Sequence, residues 1–373
     1  RATTERKPRA SADTRPCLVS PRPREVSFAR REFGWHLVVM TGSSSGASTG
    51  KAACSFEFTL NGHAVLIKDV AATTTLLDWL RARGQTGSKC GCAEGDCGAC
   101  TVALLDRDAT GQATYRAINS CIALLPMFAG REVVTVEGLA GKNGFAGLPG
   151  SPQAGLTEPE LHPVQRAMVK HYGSQCGYCT PGFVVSMFEA YYRKDCREPW
   201  QVSDQLCGNL CRCTGYRPIR DAALEVLASR PALGKGESDR FQERLRSPVA
   251  ELGSLDYQAE AGWGHPAHSF GAERFFRPTS LNELFALMQA QPSAQLVAGA
   301  TEIGVELNKK FKAFPLLIST EGVPELTRLT ATPVAWRIGA AATRTAVEET
   351  LAGEFPSLAK MLRVFASRQI RNR

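Results

Sequence analysis

The chain has 373 residues, 43% of them apolar and 21% charged, a composition suited to a folded protein of two or three domains. No apolar run approaches the roughly 18–20 residues that cross a bilayer as a helix. The apolar stretch at 34–40 follows arginines and lacks a small-residue cleavage site, which argues against a secretory signal. The net charge of +8 is unevenly spread, because residues 1–39 hold nine Lys/Arg against four Asp/Glu. The remainder is near neutral, which argues against a nucleic-acid surface.

Residues 1–39 mix Arg, Pro and Ser without apolar period, and the first Met is Met40. Residues 1–52 therefore read as an extension that is disordered or foreign to the folded protein. In SFEFTLNGHAVLIKDVA, alternation about Asn61-Gly62 predicts a β-hairpin. Thr74 or Thr75 can cap a short helix with Leu76, Leu77 and Leu80 on one face and Gly84 past its end. A Cys/Gly loop, CGCAEGDCGAC, follows. TVALLDRD, ATYRAINSC and REVVTVEGL then read as three strands, completing a small mixed sheet with one helix over residues 53–140.

Residues 141–160, rich in Gly and Pro, read as a linker. Residues 161–230 read as helices: one opened by Pro163, one capped by Thr180 with Pro181 in its first turn, a shorter one near 203–206, and one begun by Pro218. Residues 231–270 read as a polar connection, with His265 and His268 as surface residues. From 271 to 373 the pattern is α/β. Ser280-x-x-Glu283 reads as a capping box, and strands are expected at 295–298, 315–319 and 336–341. The turn GATEIG, between strand and helix, is either a plain connector or a backbone cradle for phosphate.

Thirteen cysteines are present, and they cluster. Odd in number and without a secretion signal, they suit metal ligation in a reducing cytoplasm better than disulfides. Cys92-x4-Cys97-x2-Cys100 with Cys121 downstream has the spacing of a plant-type 2Fe-2S site, and is awkward for zinc. Gly91, Gly95 and Gly98 are expected to bend the loop through positive φ and to present N–H groups to the sulfurs. Cys90 is surplus. Cys176-x2-Cys179 and Cys211-x-Cys213 each precede a helix N-terminus, which favours an anionic group. Spacing alone leaves zinc and iron–sulfur equally open there. Cys54, Cys196 and Cys207 read as ordinary thiols.

The motifs together are more specific. CAEGDCGACTV, QCGYCTPGFV and GNLCRCTGYRPI resemble the two 2Fe-2S signatures of the molybdenum hydroxylases, the xanthine dehydrogenase and aldehyde oxidase family. FFRPTSLNEL and LVAGATEIG resemble the opening of that family's FAD domain. The resemblance covers residues 55–373. It implies an α+β multidomain chain: a β-grasp ferredoxin-like domain, an all-α helical-bundle domain and the start of an α/β FAD-binding domain.

By this resemblance, Cys92, Cys97, Cys100 and Cys121 would bind one 2Fe-2S cluster. Cys176, Cys179, Cys211 and Cys213 would bind another, nearer the molybdenum, and Gln175 would approach the pterin. Leu296, Val297, Ala298, Gly299, Ala300, Thr301, Glu302, Ile303 and Gly304 would form a flavin loop. In relatives the FASRQIRNR stretch leads into a glycine-rich FAD segment, so an incomplete flavin domain that holds FAD weakly is expected here. The implied role is electron transfer in purine hydroxylation: from molybdopterin on a large partner subunit, through both clusters to FAD and then NAD+, in a cytoplasmic hetero-oligomer of (αβ)2 type. An aldehyde or heteroaromatic substrate, a single longer polypeptide, and remotely a zinc-binding module are the alternatives.

Overall fold

The computed structural model describes residues 55–141, 161–230, 239–259 and 272–373. The hairpin forms as expected, from β1 (Ser55–Leu60) and β2 (His63–Lys68). Asn61 and Gly62 both take positive φ, 53° and 85°, the pair of left-handed residues a tight twisted turn requires. Helix α1 (Leu76–Ala82) is capped by Thr75, whose hydroxyl accepts from the Asp78 N–H. β3 (Thr101–Arg107), β4 (Ala113–Asn119) and a short β5 (Glu132–Val134) complete a sheet in the order β2-β1-β5-β3-β4. β1 and β5 run parallel, and the other pairs are antiparallel. This is the β-grasp arrangement.

β3 shows why the domains form one body. TVALL is buried throughout, yet its residues point alternately to two faces. Val102 and Leu104 join Phe56, Phe58, Trp79 and Leu80 in one core. Ala103 and Leu105 join Tyr115, Phe183 and Phe188 in another. Both faces are covered, so the strand reads as a continuous apolar run instead of an alternating one.

Five helices build most of the second core: α2 (Pro163–Lys170), α3 (Thr180–Tyr192), α4 (Pro199–Leu206), α5 (Arg217–Ser229) and α6 (Arg240–Arg246). α3 is buried from Gly182 to Tyr192, and a helix apolar nearly all round belongs at the centre of its bundle. Two expected starts move. Cys179, not Thr180, is the N-cap of α3, and it makes no side-chain cap bond; Thr180 donates instead to the Ser174 hydroxyl at 2.7 Å. α5 starts at Arg217, after Tyr216 in the left-handed region.

The stretch expected as a connection, 231–270, carries α6 and a strand, β6 (Leu255–Ala259). Their burial is made by partners far away in sequence. Phe241 inserts into the helical core, and the Tyr257 hydroxyl bonds both the N–H and the C=O of Val70. His265 and His268 lie outside the described residues.

β6 pairs with β7 (Glu273–Arg277), which neighbours β9 (Leu316–Ser319) and then β8 (Gln295–Val297). Helix α7 (Leu281–Ala290) is capped by Ser280, but the Glu283 carboxylate reaches the Thr279 N–H, one residue before the cap. α8 (Ile303–Lys310) follows β8. Beyond β9 come α9 (Pro324–Thr327), the pair β10 (Leu329–Ala331) and β11 (Trp336–Ile338), then α10 (Arg344–Leu351), α11 (Pro356–Val364) and α12 (Arg368–Arg371).

Candidate functional site: two thiol groups and a flavin loop

The first thiol group sits on the loop between α1 and β3, and on the 3-10 turn Ser120–Ile122 that follows β4. The Cys92 thiol lies within hydrogen-bonding reach of both Cys121 and Cys97, and Cys100 within reach of Cys121. The Cys92 N–H donates to the Cys97 sulfur, and the Cys97 N–H to the Cys92 sulfur, each at 3.3 Å. Donation from Cys121 and Cys97 holds the Cys92 thiol far below the ordinary thiol range. Its anion then pushes the Cys97 thiol up. The same division separates Cys100, pulled down, from Cys121, pushed up. Four thiols this close share protons poorly and exchange them readily for a cation.

Glycine has two different uses in this loop. Gly95 and Gly98 take φ of +87° and +66°, as expected. Gly91 does not: it is needed for space, because a Cβ there would lie 2.7 Å from the Cys97 sulfur. Two residues that spacing did not reveal hold the loop to β4. The Asn119 amide donates to the Gly95 C=O at 2.7 Å, and the Ser120 hydroxyl to the Cys100 C=O at 2.6 Å. Cys100 and Cys121 are buried, at 2% and 3% exposure.

The second group comes from the segments preceding α3 and α5. Cys179 lies within reach of Cys211, and Cys213 within reach of Cys176. Burial, followed by the contact with Cys211, pushes the Cys179 thiol up to about 12. Burial works against ionising Cys211, but bonds from Thr214, led by its hydroxyl at 3.1 Å, overcome it and hold this thiol low. Cys176 and Cys213 are exposed, as is Gln175 beside them.

The two loops touch. The Leu210 N–H donates to the Cys97 C=O at 3.0 Å, the Asn209 amide to the Gly98 C=O at 3.1 Å, and the Tyr178 hydroxyl to the Cys90 C=O. The Leu210 bond joins a residue of the first group to the neighbour of Cys211. The approach is close enough to exclude side chains: a Cβ on Gly182 would lie 2.2 Å from the Gly98 oxygen. Among the described residues, no set of three or more His, Cys, Asp or Glu is arranged to hold a single metal ion. Four thiols gathered in each group suit two bridged metals, each taking two sulfurs, and both groups fit a 2Fe-2S cluster in donor chemistry and in the space left by glycine.

The predicted flavin loop is less gathered. It leaves β8 and enters α8, with Ala300 at φ 61°. Val297 and Ala300 are buried in the core, Leu296, Ala298 and Glu302 are exposed, and Gly304 packs on Ile122. Of these residues, Gly299 alone lines the neighbouring cleft of about 670 Å3, together with Arg131, Gly322, Thr343 and Arg373. α8 starts without a side-chain cap, and the Gly304 N–H in its first turn is taken by the Ala300 C=O at 2.8 Å.

Three family matches follow the same order along the chain. Residues 58–125 match a 2Fe-2S iron-sulfur cluster binding domain, 152–224 a [2Fe-2S] binding domain, and 268–373 an FAD binding domain in molybdopterin dehydrogenase. The chain belongs to the xanthine dehydrogenase/aldehyde oxidase family. It is 32% identical over 85% of its length to the xanthine dehydrogenase of Emericella nidulans, of which it covers 25%. Xanthine dehydrogenase/oxidase of Gallus gallus and aldehyde oxidase 2 of Cavia porcellus are each 32% identical over 84% of the chain, which covers 26% of either. The chain thus spans about a quarter of these relatives' length and carries the iron–sulfur and flavin portion of the family. No described helix is long and apolar enough to cross a membrane.

Proposed function

We propose that the chain is the electron-transfer portion of a xanthine dehydrogenase, with Cys92, Cys97, Cys100 and Cys121 holding one 2Fe-2S cluster and Cys176, Cys179, Cys211 and Cys213 the other. The observation that carries this is the gathering of four thiols in each group, with the two loops hydrogen-bonded to each other. Such clusters carry single electrons, and a flavin converts between single electrons and pairs.

The residues supply position and shielding. Gly91, Gly95 and Gly98 let the backbone close on the first group, and Asn119 and Ser120 hold it to the sheet. Thr214 donates toward the Cys211 sulfur. The exposure of Cys176, Cys213 and Gln175 makes the second group the side open to a molybdopterin-bearing partner, a separate subunit or a further domain. The first group, with Cys100 and Cys121 buried beside α8, is then the side that serves the flavin loop Leu296–Gly304, with NAD+ as the final acceptor. The assembly is a cytoplasmic (αβ)2 hetero-oligomer acting on hypoxanthine or xanthine. Equal identity to an aldehyde oxidase supports a second reading, in which the same relay serves an aldehyde or heteroaromatic substrate.

The test is iron and acid-labile sulfide per chain, with an EPR spectrum of the reduced protein. About four irons and four sulfides with two distinct signals are expected. Zinc in their place would overturn the reading.

A further inference from the structure

The flavin loop and the first thiol group are joined by one helix face. Gly304 and Asn308 stand four residues apart on α8 and therefore share a face, one turn apart. At Gly304 that face meets Ile122, the residue after Cys121: a Cβ here would lie 2.5 Å from the Ile122 oxygen and 2.6 Å from its Cα. At Asn308 the side-chain N–H groups donate to two carbonyls at once, Ala93 at 2.9 Å and Cys121 at 2.7 Å. Ala93 follows Cys92 directly and takes positive φ. Cys121 is itself one of the four thiols. A single amide thus ties together the two separate segments that supply the group. Val305, between the two contacts, packs with Cys100 and Cys121, and Lys309 pairs with Glu94 in the same loop at 3.5 Å.

We propose that Asn308 is a positioning residue for the first cluster, fixing its two ligand segments relative to each other and to the helix that begins at the flavin loop, and raising the cluster's reduction potential. The physical argument is short. A peptide carbonyl oxygen beside a cluster places partial negative charge near a centre that becomes more negative on reduction. Hydrogen bonds donated into the Ala93 and Cys121 oxygens draw off that charge and so favour the reduced state. The bonds also stop the two segments from separating as charge accumulates. Nothing comparable reaches the second group from α8, so the effect is confined to one cluster.

This inference rests on the ligand assignment above. The experiment uses the full chain and compares Asn308→Ala and Asn308→Asp with the unaltered protein by EPR-monitored redox titration. The signal belonging to the first cluster is identified as the one lost in Cys97→Ser. In Asn308→Ala its midpoint should move to more negative potential and its line shape should change. In Asn308→Asp, where donors become a carboxylate facing carbonyls, it should move further the same way. The second signal should keep its midpoint in both variants. Loss of the first signal alone in Asn308→Ala would also support the holding role. Two normal signals with an unmoved first midpoint in both variants would overturn the proposal and leave the ligand assignment standing. Absence of two signals in the unaltered protein would instead remove the assignment itself.

Discussion

The two thiol groups solve the same chemical problem in opposite ways. The first is built on a sheet: a loop wraps over a strand start, a distant 3-10 turn supplies the fourth thiol, and the chain covers Cys100 and Cys121 while Cys92 and Cys97 stay half-buried. Leu77, Ile122, Val305 and Ile370 surround Cys100 and Cys121. The second is built on helices. Its thiols precede α3 and α5, with Cys211 at 8% exposure while Cys176 and Cys213 face solvent. Burial strengthens every local charge interaction and excludes water, whereas exposure lets another surface come close. The difference teaches that the two groups are not interchangeable: one is half enclosed by the chain, and the other opens to solvent through Cys176 and Cys213.

The sharpest way to break the comparison is to remove one group at a time. Cys97→Ser should abolish one EPR signal and about half the iron, and Cys179→Ser the other signal and the other half. Retention of both signals in either variant would refute the division into two groups.

Next in size is the polar hub that holds the helical region to the rest of the chain. Glu189, wholly buried on α3, accepts from the Ala117 N–H at 3.0 Å, the Gln205 amide at 2.8 Å and the Arg368 guanidinium at 3.1 Å. Burial opposes its charge, but Arg368, Arg193 and Arg116 outweigh burial and keep it below the usual carboxylate range. Glu189→Ala leaves Arg368 buried beside Arg193 and Arg116 with only the longer contacts to Glu349 at 3.5 Å and Glu348 at 3.9 Å. Removal of one partner from such a network costs about 3–5 kcal/mol. An unfolding free energy lower by that amount is expected from urea titration; a loss below about 1 kcal/mol would show that the hub is not what joins the regions.

A smaller change probes the contact between the groups. Gly182→Ala puts a methyl against the Gly98 oxygen, with the Asn209 amide also in the way at 2.9 Å. Overpacking of this kind costs about 1–3 kcal/mol. The loops must separate to admit it, so the magnetic interaction between the two reduced clusters should weaken. An unchanged interaction together with unchanged stability would mean that the loops are not held as closely as the geometry states.

Much of this was legible in the sequence, because turns, caps and cysteine spacing are local. The Asn61-Gly62 hairpin and a helix cap at Thr74 or Thr75, which the structure places at Thr75, needed nothing beyond neighbouring residues. What was not legible depends on contacts remote in sequence. Nothing local in RQIRNR marks it as interior, yet Arg368, Gln369, Arg371 and Asn372 are all buried. Their charge is met by Glu189 and by Asp204, which takes Arg371 through both oxygens at 2.7 Å. Lone asparagines such as Asn119, Asn209 and Asn308 carry no period or spacing to mark them. Helix α6 and strand β6 were missed because their partners lie in the other core and in β7.

Acid should separate the two regions by a graded and more diagnostic effect. His162 caps α2 and shares a 2.9 Å hydrogen bond with the Tyr192 hydroxyl, inside the helical core. Burial, followed by Arg166 and Arg240, pulls its imidazole down from 6.5 to about 3. The folded ring therefore stays neutral where the unfolded chain would take up a proton. The unfolded state binds more protons below pH 6.5, so this contribution is intact above that pH and fades as pH falls toward about 3. The slope is at most about 1.4 kcal/mol per pH unit. The sheet-built region has no described histidine in its core. On lowering the pH, the signal of the second cluster should therefore disappear before that of the first. His162→Asn keeps a good helix cap and has no proton to gain, so it should narrow the gap between the two losses even if it weakens the fold near neutrality. If both signals vanish together in the unaltered protein, the acid sensitivity lies in the thiol groups themselves and not in the helical scaffold around one of them.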